Sequence, residues 1–427
     1  MNRKDIKTKL KQIEQIPIFV YLLKWLLITT IIGVLVGSVT AFFLITLDWV
    51  TNYRENNVWI IALLPLGGLV IGLMYYYWGK DVMKGNNLLI EEFHNSKQVI
   101  PLKMAPLVYL GTMITHLLGG SAGREGTAVQ MGGAIADQFS HLFKFKPFER
   151  KILIVVGISA GFSSVFGTPL AAAIFALEVL ILGRMRYEAI VPSFFAAFIA
   201  HYACLAWSVS HTHYSIPEVP EMTPVFFLYA VFAGILFGLV ALLFSTSTHF
   251  FTSLFQRIKY APWRPFLGGI AIALFVWSIG NTKYIGLGIP TIVASFTESQ
   301  NSYDFAIKIL LTAFTIGAGF KGGEVTPLFF VGATLGNMLV WFIPLPMALL
   351  AGMGFVAVFS GATNTPLACT LMGIELFGAQ SGLYIGIACV VAYLFSGHKG
   401  IYSSQQVGSA KHPIFKYLES YKNNNSV

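Results

Sequence analysis

Apolar runs of about twenty residues recur along this chain from end to end, and each is long enough to cross a hydrocarbon core as a helix. Examples are YLLKWLLITTIIGVLVGSVTAFFLITL, IIALLPLGGLVIGLMYYYW and FFLYAVFAGILFGLVALLF. These runs predict an all-α polytopic membrane protein. Only 11% of the residues are charged, against about 25% in soluble domains. The first residues, MNRKDIKTKLKQ, are basic and polar. Without a short apolar core and a cleavage site, they predict no cleavable signal peptide.

The net charge is +9, and its placement argues for membrane topology rather than for a nucleic-acid partner. Arg3, Lys4, Lys7, Lys9 and Lys11 crowd the start of the chain. Arg257, Lys259 and Arg264 sit in a mid-chain loop, and Lys399, Lys411, Lys416 and Lys422 near the end. The positive-inside rule puts all three groups in the cytoplasm. The stretch SVSHTHYSIPEVPEMTP at 208–224 has no Lys or Arg and reads as an outside loop. Cys204, Cys369 and Cys389 lie in apolar runs without metal or disulfide spacing and are expected as small core residues. No metal or organic cofactor is expected.

The chain repeats itself. GNNLLI at Gly85 parallels GLGIPT at Gly286, GREGTAVQMGGA at 123–134 parallels GGEVTPLFFVGA at 322–333, and GTPLAAAIFALE, ending at Glu178, parallels NTPLACTLMGIE, ending at Glu375. If residue 1 is inside and the 208–224 loop outside, the first half crosses an odd number of times. Two similar halves then start on opposite sides, forming inverted-topology repeats like those of secondary transporters. The expected organisation is a cytoplasmic basic N-terminus (1–16), a first membrane repeat (17–208), an extracellular loop (209–224), a second repeat (225–397) and a cytoplasmic C-terminal segment (398–427). That last segment is too short for an added soluble domain.

Both halves also contain segments broken by Gly, Pro, Ser and Thr, at 126–143, 152–166, 168–183, 326–343 and 366–378. Broken and tilted helices direct the unpaired N–H groups and positive dipole ends of their first turns at whatever lies in front of them. Several such turns converging make an anion site that needs no full positive charge. Two glutamates sit at such turns: Glu125 in GGSAGREGTAVQMGG and Glu324 in GAGFKGGEVTPLFF. An ionisable group at membrane depth costs at least ~2.5 kcal/mol, so each asks for a function. A carboxylate at a helix start can occupy the anion site itself and leave it on protonation, exchanging an anion for a proton. For Glu324 the plainer alternative is an ion pair with Lys321, and for Glu125 one with Arg124.

The combination of GREGT, GGEVTP, the GNNLL and GLGIP pair and a late GIYSS resembles the CLC family of anion channels and anion/proton antiporters, over roughly 17–410. That resemblance implies a homodimer with one pathway per subunit. It makes Glu125 the external gating glutamate, Tyr402 the central tyrosine, and Gly123, Arg124, Gly126, Thr127 and Gly323 part of the anion pathway. Departures are informative. Asn86 stands where the family's chloride-coordinating serine is usual, Thr127 replaces the proline of GREGP, and Glu324, Val325 and Thr326 occupy the third turn. The inner proton-transfer glutamate falls at Val179 and is missing. These changes resemble the fluoride-transporting branch, which couples fluoride export to proton entry, and imply a bacterial plasma membrane. Glu324 is then the candidate second proton carrier, with Thr326 a donor to fluoride. Asn86 either lines the pathway or caps a helix.

Within the same family a chloride/proton antiporter or chloride channel is the alternative. A remoter one is an intramembrane serine protease, since GISAG (157–161) and GGSAG (119–123) fit Gly-x-Ser-x-Gly and His116 or His201 could serve Ser159 or Ser121. That motif calls for a strand–turn–helix context that neither site offers. GAGFKG fits a dinucleotide fingerprint but lacks the preceding strand. The chain is therefore not expected to be an enzyme.

Overall fold

A computed structural model describes residues 15–414; the basic N-terminal cluster, Lys416 and Lys422 lie outside the described residues. Among the described residues two runs of eight α-helices follow one another. The first comprises α1 (Gln15–Asn56), α2 (Leu64–Tyr77), α3 (Asn86–His94), α4 (Met104–Leu117), α5 (Glu125–Leu142), α6 (Pro147–Phe166), α7 (Pro169–Glu178) and α8 (Ile190–Leu205). The second comprises α9 (Pro224–Gln256), α10 (Trp263–Ile279), α11 (Ile289–Ala294), α12 (Asp304–Gly317), α13 (Val325–Leu339), α14 (Met347–Thr363), α15 (Pro366–Phe377) and α16 (Gly382–Phe395). Helix for helix the second run repeats the first. Two-residue strands β1 (Ile181–Leu182) and β2 (Gln406–Val407) pair in parallel, tying the C-terminal segment to the first half.

Four helical stretches among the described residues are long and apolar enough to cross a membrane: Gln15–Asn56, Val58–Tyr77, Tyr187–Leu205 and Pro224–Gln256. Shorter apolar helices, such as α4, α7, α13 and α15, fill the interior between them. The expected breaks across 126–143, 152–166 and 366–378 are not there: α5 and α15 run unbroken from Glu125 to Leu142 and from Pro366 to Phe377. Helix α6 runs unbroken from Pro147 to Phe166 and stops at Gly167, whose φ is +73°. Gly157, Ser159 and Gly161 are buried on it; they make room for neighbouring helices rather than interrupting their own. A Cβ on Gly157 would stand 2.5 Å from the carbonyl oxygen of Gly132 on α5, and one on Gly354 would stand 2.1 Å from that of Gly332. The same close approach, built from small residues, therefore joins α5 to α6 and α13 to α14.

The halves also exchange helix caps. The Glu178 carboxylate at the end of α7 accepts from Leu367 N (3.2 Å) and Ala368 N (2.9 Å) at the start of α15. The Glu375 carboxylate near the end of α15 accepts from Leu170 N (3.0 Å) and Ala171 N (2.8 Å) at the start of α7. Each anion meets unpaired donors at a positive helix end, the favourable arrangement. These two glutamates, given no chemistry from sequence, are thus reciprocal staples between repeats.

The outer surface is apolar. On α9, Leu228, Phe232, Leu239, Leu243 and Phe250 are all exposed, and their spacing of four and seven puts them on one face. Such a stripe suits hydrocarbon, not water. Inside, aromatic rings pack tightly: Phe329, from the PLFF run, stacks on Phe355 with centroids 4.0 Å apart.

Candidate functional site

The site lies where the repeats meet. Gly323 N donates to Gly123 O at 2.7 Å and Gly123 N donates to Gly323 O at 2.5 Å, an isolated antiparallel bridge between the two glycine turns. This reciprocal pair sets the first residues of α5 and α13 face to face. The turn before α11 joins them through Gly286 N, which donates to Gly120 O at 3.0 Å.

The Glu125 carboxylate occupies the junction and is 1% exposed. Its Oε2 accepts from Arg124 N and from Thr326 N, both at 3.1 Å, and Thr326 Oγ1 donates to its Oε1. The Arg124 guanidinium forms the ion pair expected as the alternative, with Nε 3.8 Å from Oε1, but at that distance no hydrogen bond. A carboxylate held by main-chain N–H groups and a hydroxyl at two helix starts stands where a free anion would bind.

The other residues singled out from sequence divide around this centre. Val325 is buried as the first residue of α13. Gly126 and Gly323 touch: a Cβ on Gly323 would stand 2.7 Å from Gly126 N. Asn86 is not a cap, since Gly85 holds the N-cap position with φ +58° and no side chain caps the helix. Its amide nitrogen instead lies 2.9 Å from where a Gly126 Cβ would be, and its Oδ1 is buried without a hydrogen-bond partner among the described residues. Thr127 turns away: its hydroxyl meets Thr112 Oγ1 at 2.7 Å. Because Thr112 donates to Val108 O, Thr127 must be the donor of that bond and has no proton left for an anion.

Glu324 is the N-cap residue of α13 and is half-buried. No ion pair joins it to Lys321 among the described residues; the Lys321 ammonium instead lies 4.0 Å from the Tyr75 ring centroid. Tyr402 is buried within electrostatic reach of both Glu324 and Glu125. It also lines a cavity of about 1100 Å³ with Arg184, His249, His398, Lys399 and Lys411. His249 lies 25 residues into α9, about 37 Å along the helix from its start, so this basic cavity and the 208–223 loop open at opposite ends of the molecule.

Sequence reasoning missed the contribution of that loop. His211, Thr212 and Tyr214 line a cavity of about 30 Å³ together with Arg124, Glu125 and Thr326. Tyr214 packs on Phe355 and Phe296 with centroids 5.1 and 5.4 Å away. The available signal was the apolar content of the stretch, with Val209, Tyr214, Ile216, Val219 and Met222 set among polar residues.

A family model described as "Voltage gated chloride channel" matches residues 67–397, most of the chain. The chain belongs to the voltage gated chloride channel family. It is 50% identical over 412 residues, 95% of this chain and 91% of the relative, to a "Chloride/fluoride channel protein" of Pseudomonas syringae pv. tomato. A solved CLC-type fluoride/proton antiporter superposes with a TM-score of 0.88 at 36% identity, covering 91% of this chain and 98% of that one. A slow cyanobacterial Cl−/H+ antiporter shares the fold, with a TM-score of 0.76 at 20% identity over 93% of this chain and 99% of that one. The architecture is thus that of a multi-pass, all-helical CLC protein.

In this CLC chain Val179 follows directly on α7; it is buried and its carbonyl accepts from Gln405 Nε2 at 2.8 Å. Among the described residues neither serine of the Gly-x-Ser-x-Gly matches has a histidine partner. Ser159 donates to Ser193 O at 2.9 Å and Ser121 bonds Thr312 at 2.9 Å.

The glycine bridge makes a testable requirement of this CLC site. In Gly323→Ala the new methyl meets main-chain atoms of Gly126, which cannot swing aside; overpacking of this kind costs ~1–3 kcal/mol. Anion flux from vesicles is expected to fall by about fivefold or more, with a lower thermal midpoint in detergent. Wild-type flux and melting together would mean that the turns do not define the pathway.

Proposed function

We propose that the protein is a secondary transporter exchanging fluoride for protons, exporting fluoride across a bacterial plasma membrane as protons enter. One observation carries the reading: the Glu125 carboxylate sits among Arg124 N, Thr326 N and Thr326 Oγ1, all of them donors. Charged Glu125 competes with an anion for those donors, whereas protonated Glu125 has lost the charge that holds it there. Binding of the anion and binding of the proton at this junction are therefore linked.

Fluoride is small and strongly hydrated, so a site that strips its water must supply close donors in return. Main-chain N–H groups and the Thr326 hydroxyl meet that need, and Asn86, with an amide beside Gly126, adds two more N–H groups. Support also comes from the fluoride for which the Pseudomonas syringae relative and the 36%-identical antiporter are named. The first is named for chloride as well, which favours a chloride/proton antiporter or chloride channel as the second reading. A homodimer with a pathway in each subunit belongs to the proposal.

Reconstitution tests it. Vesicles loaded with fluoride are expected to release it while their interior acidifies, and an imposed pH gradient is expected to drive fluoride uphill. Fluoride release with no pH change would indicate a channel, and faster exchange of chloride than fluoride would reverse the assignment of substrate.

A further inference from the structure

Three imidazoles line the route from the 208–223 loop towards Glu125, and the exchange proposed above gives them no part. A cavity of about 540 Å³ is bounded by Gly167, His201, His211, His213 and Glu375 among others. The smaller cavity beside Glu125 shares Phe166, His211, Thr212 and Leu376 with it. His211 is the one titratable residue common to both linings, and so it stands at the neck between them.

Its placement is specific. The ring lies on the bare Cα of Gly167, where a Cβ would be 2.0 Å from His211 Cδ2. The ring of His201, from α8, lies 5.9 Å away between centroids. His211 Nε2 is buried and has no hydrogen-bond partner among the described residues, and the same is true of His201 Nδ1. A buried ring nitrogen without a partner is costly, and here it borders the space leading to Glu125. The charged and titratable groups around His211 are Arg124 and Glu125 at the start of α5, His201 on α8, His213 and Tyr214 on its own loop, and Glu375 on α15. Burial, then Arg124, His201 and His213, hold the His211 imidazole down to about 4. It is neutral at ordinary pH, with a ring nitrogen free to accept.

We propose that His211 relays protons between the outer cavity and Glu125. A proton from outer water adds to the ring, giving imidazolium. The ring then releases a proton into the small cavity, which has room for about one water, and from there to the Glu125 carboxylate. Imidazole is regenerated, Glu125 becomes neutral and leaves its donors, and the junction opens to fluoride. One proton has entered the cycle and no other group has changed.

The relay rests on the exchange reading, and the test separates the two. Wild type, His211→Ala and His211→Gln are reconstituted, and fluoride release and proton uptake are recorded from pH 5 to 8, with and without free imidazole. Both variants are expected to turn over about tenfold more slowly with an unchanged fluoride-to-proton ratio. Imidazole should restore His211→Ala, where the ring has left a space, and not His211→Gln. Turnover within about twofold of wild type, or a loss that imidazole does not repair in His211→Ala at any pH, overturns the relay while the exchange stands. Fluoride movement without protons in the wild type overturns both.

Discussion

Glu125→Gln is expected to abolish proton-driven fluoride transport while leaving a passive path for the anion. The substitution conserves shape, and the amide oxygen can still accept from Thr326 N, as Glu125 Oε2 does at 3.1 Å. Two properties are lost: glutamine takes up no proton near neutral pH, and it bears no charge to compete for the donors at the starts of α5 and α13. It therefore imitates the protonated glutamate permanently. General acid–base groups contribute about 10²–10⁴-fold, so proton-coupled exchange should drop by at least about 100-fold. In vesicles carrying a fluoride gradient, an electrode should record fluoride leaving downhill while an internal pH dye stays flat. Uphill fluoride movement by Glu125→Gln under an imposed pH gradient would remove Glu125 from the coupling mechanism altogether.

Much of this arrangement was legible in the chain because it is written twice. Motifs at Gly85 and Gly286, at Gly123 and Gly322, and before Glu178 and Glu375 mark equivalent helices, and repetition exposes a turn that no single propensity would. Glu125 and Glu324 stood out because carboxylates are costly in apolar surroundings. Three features were hidden for physical reasons. The small residues Gly157, Ser159 and Gly161 read as helix breakers, yet α6 is continuous through them, because in a crowded bundle they serve close approach. Thr127 looked like an anion ligand beside Glu125, but helical phase turns it to Thr112, and that depends on where α4 packs. The loop carrying His211 and Tyr214 read only as an outside loop, with no part in the site. A segment that folds back over a cavity has no periodicity to betray it.

Glu324→Gln is expected to cut proton flux by more than about thirtyfold while fluoride binding stays near wild type. The CLC resemblance implies a proton-transfer glutamate where buried Val179 stands, so the proposed exchange asks for another proton carrier. Glu324 caps α13 immediately before Val325 and Thr326. It has no ion pair among the described residues, and Lys321 packs instead on Tyr75. Tyr402, which bounds the large basic cavity, is within electrostatic reach of Glu324 on one hand and of Glu125 on the other. The carboxylate is half-buried near Tyr402 and in no ion pair among the described residues, and an ion pair would immobilise a proton carrier. Fluoride affinity by calorimetry and proton uptake by dye separate this role from a structural one. A carrier loses proton flux alone in Glu324→Gln and regains part of it in Glu324→Asp, which shortens the reach but keeps the titratable group. A residue that merely holds the turn would lose affinity, flux and thermal stability together in Glu324→Gln. Full-rate exchange in Glu324→Gln would leave Glu125 and its outer approach as the whole of the proton path.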